Sequence, residues 1–335
     1  MEKRLRVKSL PALADLNSQI DHALASVFKV DTTKITRKLE EQLASRMSSG
    51  WISAADRGLS ATLPSLLQGT PTLAKINSFV AALGVRLASP LTEAQVASLQ
   101  ANLRQIWQAA KRVGAKEAKI KFSFNQADAG AVQAINRQQV FWVGDFYSTH
   151  LSERIQAVSG DVLLQQGLPR QEAGRQLRDA LQRELGIKEG GRSAFARNVP
   201  ARYAGNPSLY FEELAATTAH QARTFGKLTA FSEAQIVSYR LINPDDDRTG
   251  FICQQMSGQV FSVAAGVRHM NRILDAENPA DVKGIAPWLS GKELTDILGS
   301  SKPGSTSATD KLQNAGALLP PFHSKCRTEV VILAS

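Results

Sequence analysis

The sequence predicts an α+β protein, a helix-rich body closed by a small β-sheet near the C-terminus. Three observations predict it. Apolar residues recur three and four apart through much of the first 234 residues, which is the spacing of one buried helix face. Three short β-branched or aromatic runs follow, all of them after Ala234. No internal repeat is present.

The elements follow in order. Leu13, Leu16, Ile20, Leu24, Val27 and Phe28 line one helical face. Ile35, Leu39, Leu43 and Met47 step by four, and Leu73, Ile76, Phe79, Val80, Leu83 and Leu87 form a further stripe. "SSGW" and "LQGTPT" read as turns between these helices. Thr92 and Gln95 read as a capping box at the start of a helix carrying Val96, Leu99, Leu103, Ile106, Trp107 and Val113. Ile120, Phe122 and Phe124 alternate, which suits a short strand or an extended linker whose aromatics dock on the next helix. Residues 127–166 read as largely helical, in two pieces. Gly167 ends that run and Pro169 starts the next helix. Residues 186–206 are Gly-, Arg- and Asn-rich, as in a loop. Asn206 and Pro207 then restart a helix as cap and first residue. Residues 236–242, 258–263 and 327–333 read as strands. Between the last two, residues 264–317 read as an insertion with one short helix at 267–275. The run "GSSKPGSTSATD" within it has the composition of a flexible loop.

Composition narrows the class. The chain has 335 residues, 43% of them hydrophobic and 21% charged, enough for a substantial core and for more than one domain. No apolar run approaches the ~18 residues of a membrane span, and the basic start lacks the pattern of a signal peptide. Two cysteines do not make a secreted disulfide scaffold, so folding in a cell interior is expected. The net charge of +10 lies in the first part. Residues 1–200 hold 27 Lys and Arg against 17 Asp and Glu, whereas residues 201–335 hold 13 of each. An acidic partner such as double-stranded DNA suits the basic part, and a solvated Lys/Arg-rich helical surface accounts for it equally well. The organisation expected is a basic helical region over 1–118 and an α+β unit over 119–335.

The residues that could carry chemistry gather near the C-terminal strands. "LLPPFHSKCRTEVVIL" (318–333) holds His323 and Cys326, and the other cysteine is Cys253, after Asp245, Asp246 and Asp247. Thiolate, imidazole and carboxylate are zinc ligands, and four such groups close a structural site. Cys253, His323 and Cys326 are candidate metal ligands, with Asp247 as a fourth. A Cys253–Cys326 disulfide and two buried free thiols are competing readings. Enzyme signals are otherwise poor. No P-loop, dinucleotide-binding glycine motif, H-E-x-x-H or G-x-S-x-G is present. His220 reads as a partly exposed helical residue, and His22, His150 and His269 as isolated ones.

The order of parts resembles a known family. "QQGLPRQEAGRQLRDAL" resembles a GLS-x-x-E-(I/L)-A-x-x-L helix start. "ELAATTAHQARTFGKLTAFSEAQIVSYRLINPDDDRTGFICQQMSGQVF" resembles a helix, a strand and a D-x-R-T-C-x-x-C-x-x-x-x-G-x-x-F turn. "LLPPFHSKCRTEVVI" resembles L-P-P-x-H-P-x-C-R-C and a closing strand. Together these are similar to the phage Mu F-like family of minor head (head morphogenesis) proteins, over roughly residues 120–335. The resemblance implies a virion component acting in head assembly at or near the portal, in the host cytoplasm while heads form. It implies the portal or major capsid protein as partner, with DNA contact proposed for some members, no catalysis and no membrane. The alternative is a metal-dependent DNA-processing or toxin-like enzyme using Asp247, His323 and Cys326. The sequence departs from the family pattern at Gly250 and Thr328, where cysteines are usual, and at Ala216–Thr218, where R-T-E is usual. The chain ends at Ser335, so no fused toxin enzyme is expected.

Overall fold

The computed structural model describes residues 30–165, 168–199, 201–244, 246, 247 and 249–333. The helix expected over Leu13–Phe28 lies outside the described residues, as do Gly167 and Asp245. The fold is α+β, mostly helical, with a small antiparallel sheet near the C-terminus. The body is built from α1 (Val30–Leu67), α2 (Leu73–Leu87), α3 (Glu93–Glu117), α4 (Gln126–His150), α5 (Ser152–Gly160, continuing into a π-helical turn), α6 (Arg170–Glu184) and α7 (Pro207–Glu233). The C-terminal part adds β1 (Ser238–Ile242), α8 (Phe251–Met256), β2 (Val260–Ser262) and α9 (Val263–Leu274). Then come α10 (Val282–Ile285), α11 (Gly291–Leu298), α12 (Thr306–Asn314) and β3 (Glu329–Ile332).

Local chemistry explains most boundaries. Thr92 and Gln95 form the expected capping box of α3, and Asn125 and Asp128 form another on α4. Pro207 is the first residue of α7. Asn206 occupies the cap position without making a side-chain cap bond. "SSGW" is not a turn but lies inside α1. A Cβ on Gly50 would meet the side chains of Leu91 and Gln95, so this glycine serves a close packing contact.

The centre of the body is the crossing of α3 and α7. Two glycines allow it. A Cβ on Gly114 would stand 3.0 Å from the Lys227 carbonyl, and one on Gly226 would stand 2.8 Å from the Trp107 carbonyl. Beside the crossing, the buried Lys111 ammonium lies 2.7 Å from Asp128 and 2.6 Å from Glu233. Asp128 also accepts from Trp107 Nε1 and the Asn125 amide, so the buried charges are paired and hydrogen-bonded. A second buried pair, Arg154 with Glu184, ties α5 to α6 and to carbonyls of the loop at 195–199.

One continuous apolar core runs from Leu39 to Val330. Trp51 of α1 meets Phe146 of α4 edge-on with ring centroids 4.8 Å apart, and packs on Phe211 of α7. The expected division at 118/119 is therefore not a division of the core. Residues 120–124 form no strand. The segment runs back along α3, placing Phe122 under the Arg112 guanidinium and Phe124 under Arg104, each at 4.7 Å.

The segment 264–317 also differs from expectation. It is not a flexible insertion around one helix, because α9 to α12 occupy it and bury Met270, Ile273, Leu294, Leu298 and Leu312. The low-complexity run supplies a helix cap. Ser305 accepts from the Ala308 amide and starts α12, Gly304 donates to Gln259, and Thr309 donates to the Val260 carbonyl. Small polar residues make caps and turns as readily as they make flexible chain.

The sheet has the order β2-β1-β3, all antiparallel. Tyr239 faces Phe261 on one side and Ile332 on the other. Its buried hydroxyl donates to the Leu318 carbonyl, which anchors the segment leading to β3.

Candidate metal centre

Two short connections meet at one end of this sheet. The first leaves β1 and turns through Asp246 and Asp247 into α8. Thr249 closes this turn, its amide donating to the Asp246 carbonyl and its hydroxyl to the Pro244 carbonyl. Asn243 donates to the Cys253 carbonyl, holding α8 against β1. The second connection is Pro320–Cys326. Its turn is closed by the Cys326 amide donating to the His323 carbonyl at 3.3 Å, with Lys325 in the left-handed region at φ 59°. That turn points His323 and Cys326 toward α8.

The outcome is a group of three donors. Cys253 Sγ lies 2.9 Å from His323 Nε2 and 3.8 Å from Cys326 Sγ, and all three donor atoms lie within 4.8 Å of one another. Both cysteines are buried free thiols, and 3.8 Å is far beyond the ~2.05 Å of a disulfide. His323 is half-buried. Its Nδ1 donates to the Ser324 carbonyl at 2.6 Å, which leaves Nε2 as the atom facing the sulfur. The contact with Cys326 holds the Cys253 thiol well below the usual thiol range, helped by His323. The same contact and burial push Cys326 up. His323 is raised by its bond to Cys253.

A polar clamp surrounds the group. Arg327 donates to both carboxylate oxygens of Asp246 and, at 3.0 Å, to the Thr249 hydroxyl. Asp246 and Thr249 come from the first connection and Arg327 from the second, so the clamp fastens the two together.

Thr328 is fully buried in the step into β3. Its hydroxyl is close enough to both sulfurs to favour their thiolate forms, yet it meets no partner in hydrogen-bonding geometry.

The structure thus brings together Cys253, His323 and Cys326, and leaves Asp247 exposed in its turn outside the group. His220 is buried rather than partly exposed, and its Nε2 has no hydrogen-bond partner. Thr328 was singled out beforehand only as a departure from the family pattern, and its own residue type gives no sign of a buried hydroxyl beside the group. The Arg327–Asp246 clamp was likewise hidden, because it joins charges far apart in sequence.

A second feature lies on α3. Arg104, Arg112, Lys116, Lys119 and Lys121 are exposed along it and just past its end, with Phe122 and Phe124 beneath two of the guanidiniums. Not all of the basic excess is on the surface, since Lys111 and Arg154 are buried.

Comparison of the chain with protein-family models, with curated proteins and with solved structures finds no match. No helix among the described residues is long and apolar enough to cross a membrane.

Proposed function

We propose that this chain is a structural minor head protein of a tailed bacteriophage or prophage-derived particle, of the Mu F-like kind. It would act by binding the portal or the capsid interior. The observation that carries this reading is the joining of the two motif stretches. The D-x-R-T stretch supplies Asp246 and Thr249, and the P-P-x-H-x-x-C-R stretch supplies Arg327, which bonds to both. Cys253 meets His323 and Cys326 beside them. Residues that carry the resemblance are thus used on one another, as in a clasp that closes a packing module. The enzyme reading loses support, because Asp247 stands away from the other two residues it needs.

DNA contact is the second part of the proposal. The exposed row on α3 supports it, combining phosphate-binding cations with aromatic rings.

The test is co-expression with the portal and major capsid proteins of the phage or prophage whose genome carries this chain, followed by sedimentation of the heads. The chain is expected in the head fraction at a fixed ratio to portal. A chain that stays entirely with free protein would overturn the reading.

A further inference from the structure

We propose that Cys253, His323 and Cys326 bind one Zn²⁺ ion whose fourth corner is a neutral oxygen at Thr328. The proposal does not depend on the assembly role.

The donor set comes first. Two sulfurs and one imidazole nitrogen suit a borderline-soft divalent cation and exclude the oxygen-seeking ones. Spacing is the second ground. Tetrahedral zinc with ~2.3 Å bonds holds two sulfurs about 3.8 Å apart, and Cys253 and Cys326 stand at 3.8 Å. The same geometry asks for about 3.6 Å between sulfur and nitrogen. His323 Nε2, now at 2.9 Å, has to move out by less than an ångström, and its ring is only half-buried. Orientation is the third ground. The bond from Nδ1 to the Ser324 carbonyl fixes the tautomer that offers the Nε2 lone pair to a metal.

Thr328 supplies the independent observation. A buried hydroxyl without a partner is costly, and this one stands two residues past Cys326 in the same segment. An ion between the sulfurs supplies the missing partner, either directly or through one water. The carboxylate expected from the sequence does not reach the group. Asp247 is exposed and outside the group, and a side chain on Gly250 would meet nothing within 4 Å. The centre is then a Cys2His site with two thiolates balancing the ion's charge. One corner is exchangeable and open to a small anion or thiol, unlike a closed four-ligand structural site.

The test uses the full chain, stripped of metal under reducing conditions and titrated with Co²⁺, then with Zn²⁺ as competitor. One Co²⁺ per chain is expected, with thiolate charge-transfer absorption and tetrahedral visible bands that Zn²⁺ abolishes. Thr328→Cys should raise the charge-transfer absorption in the ratio of two sulfurs to three. It should also tighten Zn²⁺ binding by about tenfold or more, as a fourth protein ligand closes the site. Thr328→Ser should keep the parent spectrum. Absence of a one-to-one cobalt complex with thiolate bands overturns the site. A Thr328→Cys spectrum equal to the parent's overturns the assignment of the fourth corner. Should Thr328→Cys not fold, azide titration of the parent cobalt complex decides the same point. A shift of the visible bands supports the exchangeable corner, and unchanged bands at saturating azide overturn it.

Discussion

Cys253 Sγ and His323 Nε2 stand 2.9 Å apart although 70 residues separate them. With Arg327 on Asp246, this contact fastens the turn before β3 to the turn after β1. His323→Ala is expected to lower stability by about 1–3 kcal/mol, the usual cost of leaving a buried polar group without its partner. The loss should be local. Amide exchange should speed up over residues 318–333 and stay slow in α3 and α7. Uniform acceleration over the whole chain would show that the contact is not a local clasp.

The glycine crossing gives a paired prediction. Gly226→Ala sets a methyl 2.8 Å from the Trp107 carbonyl, so α3 and α7 must part, at roughly 1–3 kcal/mol. Gly130 is also helical, but a Cβ there meets nothing within 4 Å. Gly130→Ala should stabilise by about 0.5–1 kcal/mol through helix propensity alone. Thermal melts of the two variants should move in opposite directions, and a shift of the same sign in both would refute the packing argument.

His220 sets a pH dependence. Burial first, and then Arg223, lower its pKa to about 4 in the fold, with Glu329 and the Thr328 backbone opposing. The unfolded chain takes up the proton near its usual value of about 6.5. Between these values the unfolded state holds more protons, so stability rises with pH. The His220 contribution is complete above about pH 6.5 and is lost as pH falls to about 4, at roughly 1.4 kcal/mol per unit. Urea titrations at pH 7 and pH 4.5 should therefore differ less in His220→Leu than in the parent. An equal difference in both would exclude His220 as the source.

The row on α3 is tested by charge reversal. Arg104→Glu, Arg112→Glu and Lys116→Glu together should weaken binding of duplex DNA and flatten its salt dependence. Each phosphate that is no longer neutralised takes about 0.9 off the slope of log K against log salt. Anisotropy titrations at several salt concentrations measure this. An unchanged slope would mean that the basic face is only a solvated surface.

Much of the fold was legible from local chemistry. The α3 capping box and the three strands follow from residues close in sequence, as does the first position of α7. The failures share a cause. Gly50 inside α1 and the serine-rich run before α12 were misread because Gly and Ser serve both close packing and turns. The candidate metal centre was half legible. Scarce residues such as Cys253, His323 and Cys326 identify themselves by type, whereas Thr328 and Asp246 matter only through what the fold sets beside them.

The sheet order carries a consequence for how the molecule is made. β1 is the central strand, yet its second neighbour, β3, lies some ninety residues downstream. A ribosome adding about 5–20 residues per second leaves that side of β1 bare for on the order of ten seconds. During that interval an unpaired strand and a partnerless Cys253 face the crowded surroundings of the nascent chain, where bare strand edges invite wrong pairings. Release of residues 323–332 from the ribosome ends the exposure, delivering the imidazole, the second sulfur and the missing strand within ten residues of one another.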